Sequence, residues 1–306
     1  MILCCGEALI DMLPQTGEGD QTSYAPHAGG AVFNTAVALG RLGVPAGFYC
    51  ALSDDMFGAQ LRQVLEESRV DLRYAPAVDR PCTLAFVQLV DGQAHYLFYD
   101  VGSALRMMTP DALPALEADV EGLFFGCISL VGEPCGSAFE ALMQREEGRR
   151  LMVIDPNIRT SFISDETAFR ARMSRMIAMA DIVKVSDEDL HWLEGEGTVS
   201  ALAHGILQKG PRLVLVTEGA RGAHGYSAHA RAFVPANQVR VADTIGAGDT
   251  FNAGALDALR QMSALTKEAI GDLDAAGIET VLKRGVDAAA ITVSRAGANP
   301  PWAHEF

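Results

Sequence analysis

A glycine-rich turn followed directly by an aspartate is the part of the sequence best suited to catalysis. Residues Asp243 to Gly254 read DTIGAGDTFNAG, and the small residues Gly246, Ala247 and Gly248 allow a tight turn before a helix. A helix that begins at such a turn exposes backbone N–H groups beside the positive end of its dipole, which favours binding of an anion. Asp249 lies in the first turn of that helix, where its carboxylate can reach a bound hydroxyl. Amides around an anion with an adjacent carboxylate are the groups that phosphoryl transfer to an alcohol requires.

A structural alternative exists for the same aspartate, because an acidic residue in the first turn also stabilises a helix by itself. Other common site motifs are absent from the sequence. There is no GxxxxGK[ST] phosphate loop, and the glycines at 246 and 248 do not continue into GxGxxG. HExxH, GxSxG and CxxC are also absent, which excludes zinc proteases, α/β-hydrolases and zinc-ribbon or thioredoxin-like sites.

The composition is that of a globular enzyme. The 306 residues include 24 Lys+Arg and 39 Asp+Glu, and 49% of them are hydrophobic. The net charge of −15 argues against binding of nucleic acid, which needs clustered basic residues. No apolar run is long enough for a transmembrane helix, and no signal-peptide pattern follows Met1, so we expect a cytoplasmic location without membrane partners. We expect the six cysteines to be reduced core residues.

Short apolar strands alternate with amphipathic helices, which predicts an α/β fold. We expect a mostly parallel central sheet with helices on both faces, in a single domain over 1–306. The predicted strands are Ile2–Cys5, Gly47–Leu52, Leu123–Ile128, Leu151–Asp155, Ile182–Val185 and Leu213–Thr217. Helices are predicted from Asn34 towards Gly43, over Met56–Glu67, over Ala168–Met179, and after the cap-like Thr109-Pro110-Asp111.

One region breaks this alternation and predicts a small antiparallel β-lid, inserted from about 12–28 and 75–106. Asp91-Gly92 is a strong two-residue turn signal between two strand-like runs. The lid sheet would be formed by Tyr24–His27, Thr83–Val90 and His95–Asp100. Such a ribbon is marginal alone, so it should contact a ligand, the main domain or a second copy of the chain. A second hairpin is predicted at Gly222–Val234.

Three ordered motifs together resemble the ribokinase-like (PfkB) family of carbohydrate kinases. The segment Asp243–Gly254 resembles the family's C-terminal signature. Gly29-Gly30, followed by Asn34 and the glycines at 40 and 43, resembles its N-terminal signature. The segment from Gly6-Glu7 to Asp11 resembles the family's segment after the first strand, which carries a sugar-binding carboxylate. The resemblance continues to Arg295–Ala298. It therefore covers the whole chain and implies the ribokinase-like fold.

The resemblance also implies roles for individual residues. Asp249 would be the general base that takes the proton of a sugar hydroxyl as it attacks the γ-phosphate of ATP. The backbone N–H groups of Gly246, Ala247 and Gly248 would stabilise the transferring phosphoryl group. The sugar-binding residues implied are Asp11, Gly29, Gly30, Asn34, Phe98, Asn157 and Arg159.

Nucleotide and cation sites follow from the same resemblance. The nucleotide-binding residues implied are Lys184, Thr217, Gly219, Gly222 and Gly285. The family commonly has NxxE to organise Mg²⁺, whereas this chain has Ser186 and Asp189 at those positions. A K⁺-type site is implied at the backbone carbonyls of Asp243, Ile245, Thr292, Arg295 and Gly297. Pro301 replaces a serine found in some relatives, which leaves K⁺ dependence open.

The activity implied is an ATP-dependent sugar kinase that acts on a primary hydroxyl and forms a homodimer through the lid. The runs Phe98–Ala104 and Asp155–Arg159 resemble bacterial fructokinases, which implies fructose as the substrate. The alternatives are a 2-keto-3-deoxygluconate kinase, a ribokinase or nucleoside kinase, a phosphomethylpyrimidine or pyridoxal-type kinase, and a non-catalytic sugar or nucleotide sensor of the same fold. Asp100 in the lid favours a neutral sugar over an acidic one.

Overall fold

The computed structural model describes residues 1–16, 22–90 and 93–306, so the predicted Asp91-Gly92 turn and part of the first lid segment lie outside the described residues. The strands are β1 (Ile2–Cys5), β2 (Leu9–Thr16), β3 (Thr22–Gly29), β4 (Ala46–Tyr49), β5 (Leu52–Ser53), β6 (Ala77–Val78), β7 (Leu84–Val90), β8 (Gln93–Tyr99), β9 (Gly122–Gly126), β10 (Leu151–Asp155), β11 (Ile182–Ser186), β12 (Leu213–Thr217), β13 (Gly222–Tyr226) and β14 (Arg231–Pro235). The helices are α1 (Ala31–Arg41), α2 (Met56–Glu67), α3 (Cys135–Glu146), α4 (Glu166–Met179), α5 (Asp187–Glu194), α6 (Val199–Leu207), α7 (Ala247–Gln261), α8 (Lys267–Gly271) and α9 (Ala275–Val293).

The central sheet has eight strands in the order β14-β13-β12-β11-β10-β9-β1-β4. The six strands from β12 to β4 are parallel, and the β13–β14 hairpin continues the sheet antiparallel. This arrangement confirms the predicted α/β class. The second predicted hairpin is also present. Strands such as β1 and β10 are buried at every position, as expected where helices cover both faces of a parallel sheet.

Two helices on one side of the sheet approach each other closely because glycines face the contact. A Cβ on Gly254 of α7 would lie 2.6 Å from the Arg284 carbonyl oxygen, and a Cβ on Gly285 of α9 would lie 2.7 Å from the Phe251 ring. Helix α1 packs against α7 in the same layer. These contacts fix the N-terminal ends of α1 and α7, which carry the motif residues, next to each other.

Local signals misled the sequence prediction at two points. No helix follows Thr109, where the chain forms only a 3₁₀ turn over Pro110–Ala112. Pro114 explains this, because a proline forces the residue before it out of the helical region, and Leu113 is extended. The strand predicted to reach Ile128 ends at Gly126, because Cys127 adopts a left-handed φ of 56° and begins a 3₁₀ helix.

The lid is a four-stranded sheet in the order β3-β2-β7-β8. The pair β7–β8 is antiparallel as predicted. Strand β2 was not predicted; it lies between β3 and β7 and pairs antiparallel with β3 and parallel with β7. Asp11, Ala85 and Phe98 are direct cross-strand neighbours and therefore share one face. The next register, Met12, Phe86 and Leu97, lies on the opposite face.

All six cysteines are buried and free of disulfides, which agrees with the expected reduced core. No helix within the described ranges has the length and apolar character needed to cross a bilayer.

Candidate active site

A cavity of about 330 Å³ opens where the lid meets the N-terminal ends of α1 and α7 and the loop after β10. It unites residues that lie far apart in the sequence. The predicted residues that line it are Asp11, Gly30, Asn34, Phe98, Asn157, Arg159, Lys184, Ile245, Gly246, Ala247, Gly248 and Asp249. Candidate catalytic, sugar-binding and phosphate-binding residues thus share one cavity.

The Asp249 carboxylate lies in the first turn of α7 and is only 7% exposed. The Asn34 side-chain amide donates a hydrogen bond of 2.9 Å to its Oδ2 atom, and the Thr35 hydroxyl approaches its backbone oxygen. Burial raises the pKa of Asp249 to about 7, although the bond from Asn34 lowers it. A carboxylate whose pKa lies near neutrality is well matched to the work of a general base.

The turn before α7 presents backbone N–H groups to the cavity. Gly246 has a left-handed φ of 78°, and a Cβ there would lie 2.8 Å from the Ala298 side chain. The Ala247 N–H already donates to the Thr244 carbonyl oxygen at 3.3 Å. Helix geometry leaves the N–H groups of Gly248 and Asp249 without an intrahelical acceptor. The turn can therefore donate to an anion from its second and third helical residues.

A buried ammonium group lies directly against this turn. Lys184 Nζ is 2.9 Å from Asp155 Oδ2, and the Asn252 amide donates to the same oxygen at 2.8 Å. A Cβ on Gly248 would lie 3.0 Å from Lys184 Nζ. Burial lowers the pKa of Lys184, but the Asp155 carboxylate raises it by more, so the side chain stays charged. The combined N–H groups and ammonium suit a phosphate group.

The lid side of the cavity carries a second carboxylate. Burial raises the pKa of Asp11 to about 6. Gly29 lies behind this side chain rather than in the cavity lining, and a Cβ there would lie 2.2 Å from Asp11 Oδ2. Phe98, which shares a lid face with Asp11, packs its ring edge against Phe162. Asp11 is thus placed to accept hydrogen bonds from a ligand beneath the lid.

The loop after β10 is held by the residues that replace the usual NxxE motif. Ser186 Oγ caps α5 by accepting a hydrogen bond from the Asp189 N–H. Asp189 Oδ1 in turn accepts from the Ile158 N–H at 3.2 Å. This bond fixes the loop at the point where Asn157, with a left-handed φ of 41°, and Arg159 enter the cavity. In this chain the two replacements hold the loop in place.

The comparisons with known proteins agree with this geometry. Residues 1–305 match the pfkB family carbohydrate kinases. The chain belongs to this family. It is 50% identical to a fructokinase of Rhizobium leguminosarum bv. trifolii, over 94% of this chain and 87% of that protein.

Two solved structures show the same fold around ligands. The carbohydrate kinase described here matches a fructokinase with bound ATP from Xylella fastidiosa at a TM-score of 0.87 and 29% identity, over 97% of this chain and 93% of that one. It also matches the Vibrio cholerae O395 fructokinase in its fructose-, ADP- and calcium-bound form, at a TM-score of 0.82 and 27% identity, over 97% and 94% of the two chains.

The residues predicted to bind the cation converge beside the same turn of this kinase. Asp243 accepts hydrogen bonds from the N–H groups of Ile245 (3.0 Å) and Gly297 (2.9 Å). The Thr292 hydroxyl contacts that of Thr250 in α7, and the Thr292 carbonyl accepts from the Arg295 N–H. The segment from 295 to 297 is therefore tied to the segment from 243 to 246.

Four predicted nucleotide-binding residues lie outside the cavity lining, and their roles remain predictions: Thr217, Gly219, Gly222 and Gly285. Two have packing reasons for being glycine, because a Cβ on Gly222 would lie 2.2 Å from the Val234 carbonyl oxygen and Gly285 faces Phe251. Lining residues that the sequence analysis did not assign to the site are Glu7, Leu9, Ala31, Cys127, Ile128, Ser161 and Thr244. Glu7 had a detectable signal, namely an acidic residue two positions after an apolar strand.

Proposed function

We propose that this carbohydrate kinase is an ATP-dependent fructokinase, which transfers the γ-phosphate of ATP to a primary hydroxyl of fructose. The observation that carries the proposal is the position of Asp249. Its carboxylate accepts a hydrogen bond from Asn34, one of the proposed sugar-binding residues, and it follows Gly248, which lies against the Lys184 ammonium. The proposed phosphate-binding end, at the α7 turn and Lys184, and the proposed hydroxyl-binding end, with Asn34 and Asp11, therefore meet at Asp249. The high identity to the Rhizobium fructokinase supports fructose as the acceptor.

The proposed reaction uses Asp249 as the proton acceptor. The fructose hydroxyl oxygen attacks the γ-phosphorus, its proton passes to Asp249, and the bond from phosphorus to the β–γ bridging oxygen breaks, so that ADP leaves. The N–H groups of Gly248 and Asp249 and the Lys184 ammonium stabilise the charge on the transferring phosphoryl group. Such stabilisation is the main source of the rate enhancement in phosphoryl transfer. Arg159, which lines the same cavity, would add a planar cation that can face anionic oxygens.

The sugar end of the cavity suits a neutral substrate. Its lining contains the carboxyl groups of Glu7 and Asp11, next to Asp249, and these would repel an acidic sugar. The sequence argument from Asp100 fails, because Asp100 is paired with Arg106 at 2.6 Å and does not line the cavity. The preference for a neutral sugar therefore rests on the cavity itself.

Two cations belong to the proposal. In the described part of the chain no group of three or more acidic, histidine or cysteine side chains is arranged to hold a metal. Mg²⁺ would therefore be held mainly by ATP phosphates and water, as is usual for this ion, and would neutralise phosphate charge. Asp155, whose Oδ1 is buried without a hydrogen-bond partner, fits a water of that shell. K⁺ would be coordinated by the backbone carbonyl oxygens of the predicted cation site, around Asp243 and Gly297.

We also propose that the lid pairs two subunits. Its outer face is aromatic: Phe86 lies between Tyr24 (5.1 Å) and Tyr99 (5.6 Å), measured between ring centroids. Leu97 and Tyr99 are each 58% exposed in the single chain. A β-sheet with an exposed apolar face gains stability when a second copy covers it. A cytoplasmic location remains part of the proposal, since the reaction consumes ATP.

An ADP-release assay over about a dozen acceptors tests the proposed function. Fructose, ribose, 2-keto-3-deoxygluconate and several nucleosides would be compared with Mg-ATP, each with and without K⁺. We expect the highest kcat/KM with fructose. A higher kcat/KM with another acceptor would transfer the proposal to that substrate. Binding without turnover of any acceptor would support the non-catalytic sensor instead.

A further inference from the structure

Helix α1 begins without a cap of its own. Its N-terminal flanking residue is Gly30, which has no side chain to accept a hydrogen bond from the first turn. The first N–H groups of a helix have no intrahelical acceptor and must be satisfied from elsewhere. Here Glu7 supplies acceptors for two of these groups. Its side-chain Oε1 accepts from the Val32 N–H at 3.1 Å, and its backbone oxygen accepts from the Phe33 N–H at 3.2 Å.

Glu7 is fully buried between β1 and β2 and lines the cavity. Its second carboxylate oxygen accepts from the Ser129 N–H at 3.4 Å, in the 3₁₀ helix after β9. A Cβ on Gly30 would lie 2.9 Å from the Glu7 carbonyl oxygen, so α1 can begin this close to Glu7 only with glycine there. One side chain thus joins three segments that border the cavity.

The position at which α1 begins affects the reacting groups. The Asn34 N–H donates to the Gly30 carbonyl oxygen at 2.8 Å, so Asn34 lies one turn beyond the junction with Glu7. The Asn34 amide then donates to Asp249 at 2.9 Å. A shift of the first turn of α1 would therefore move the group that orients Asp249.

We propose that Glu7 is a positioning residue, which caps α1 from a neighbouring segment and thereby sets the Asn34–Asp249 contact and the adjoining wall of the sugar site. This inference rests on the proposed sugar kinase activity. Glu7 transfers no proton and contacts no reacting atom. A buried carboxylate is costly unless hydrogen-bonded, and the N–H groups of Val32 and Ser129 meet that need here.

The test compares Glu7→Gln and Glu7→Leu with the control Asp181→Asn. Gln keeps the size and one acceptor but turns an NH₂ group towards an N–H donor. Leu removes both carboxylate oxygens and keeps only the backbone oxygen that accepts from Phe33. Asp181 is also buried and also accepts a backbone hydrogen bond, from Met152, and it is paired with Lys267 at 3.0 Å. It precedes β11, at the N-terminal end of that strand, whereas the cavity lies at the C-terminal ends of the parallel strands. It therefore reports the general cost of altering a buried carboxylate.

We expect Glu7→Gln to lower kcat/KM for fructose by about tenfold and Glu7→Leu by more, while KM for ATP stays within about twofold of wild type. Hydrogen exchange of the Val32 amide, which donates to the Glu7 carboxylate, should accelerate in both variants. The Phe33 amide, which donates to the Glu7 backbone oxygen, keeps its acceptor and serves as an internal reference. Asp181→Asn should lower the melting temperature and leave both readouts near wild type. If Glu7→Leu does not fold, Glu7→Gln decides alone.

Two results would overturn the inference. One is a folded Glu7→Gln protein with the kinetics of the Asp181 control. The other is unchanged exchange of the Val32 amide, which would show that the Glu7 side chain does not cap α1. Exchange is measured without any substrate, so it decides the capping even if no acceptor is phosphorylated, an outcome that refutes the proposed function separately. If the wild type prefers another sugar, the kinetic comparison is made with that sugar.

Discussion

Replacement of Asp249 by asparagine separates catalysis from folding. Asparagine has nearly the same shape and can still accept the hydrogen bond from Asn34, but it cannot take up the proton of a sugar hydroxyl. Loss of a general base costs about 10²–10⁴ in rate. We therefore expect kcat for fructose to fall at least about 10²-fold, which is about 2.7 kcal/mol in barrier height. Dissociation constants for ATP and fructose should change little, since the N–H groups of the α7 turn remain.

The same substitution should stabilise the protein at neutral pH. Burial raises the pKa of Asp249 from 3.8 to about 7, so between these values the folded chain binds a proton that the unfolded chain has released. The contribution of Asp249 to stability therefore falls as the pH rises through this window. At ~1.4 kcal/mol per pKa unit, the fall is at most about 4 kcal/mol. The asparagine side chain of the variant does not ionise, so the variant avoids this loss.

Two measurements check this reasoning. Assays of ADP formation give kcat for the wild type and for Asp249→Asn. Urea unfolding at pH 5 and pH 8 gives the free energy of unfolding of the same two proteins. We expect the variant to gain stability relative to wild type on going from pH 5 to pH 8. If Asp249 only caps α7, kcat should change little, whereas the pH dependence of the stability difference, which reports the burial of Asp249, should be the same. A folded variant that retains more than about a tenth of wild-type kcat, a loss under ~1.4 kcal/mol, would refute the role of Asp249 as base.

Three further perturbations test other parts of the site. Asp11→Ala should raise KM for fructose about 10- to 150-fold, the value of one hydrogen bond to a charged group, and a parallel rise in KM for ATP would contradict the assignment. In wild type, kcat/KM for fructose should fall about tenfold per pH unit below pH ~7 as Asp249 takes up a proton; a flat profile down to pH 5 would exclude this base. Light scattering should show a dimer that Leu97→Lys converts to monomer. Val241→Lys, which alters an equally exposed residue outside the lid, should leave the dimer intact.

Much of the fold could be predicted because its signals are local. Strands β1, β10 and β12 lie at their predicted bounds, since a short apolar run in a parallel sheet is buried on both faces whatever its neighbours are. The hairpin of β13 and β14 was also predictable from its own residues. The helix predicted after Thr109 was wrong, because the start signals were weighed without the nearby Pro114, whose steric effect prevents a helix.

The chemistry of Asp249 was partly visible in the sequence as well. A Gly-Ala-Gly turn that opens a helix and precedes an aspartate has consequences that depend on only a few adjacent residues. Residue types and short spacings therefore identified the candidate base and the anion-binding turn, and the family resemblance connected them to Asp11 and Asn34.

The contacts that complete the site were decided by the tertiary structure. Asn34 and Asp249 are 215 residues apart in the sequence, yet 2.9 Å separates their bonded atoms. Burial against such distant neighbours is also what raises the pKa of Asp249, because removal from water disfavours the charged carboxylate. Likewise, position 29 requires glycine because the Asp11 side chain occupies the space that a Cβ would need. Glu7 caps helix α1, although it belongs to the segment between β1 and β2. Local sequence patterns carry no information about these partners, since packing alone brings the segments together.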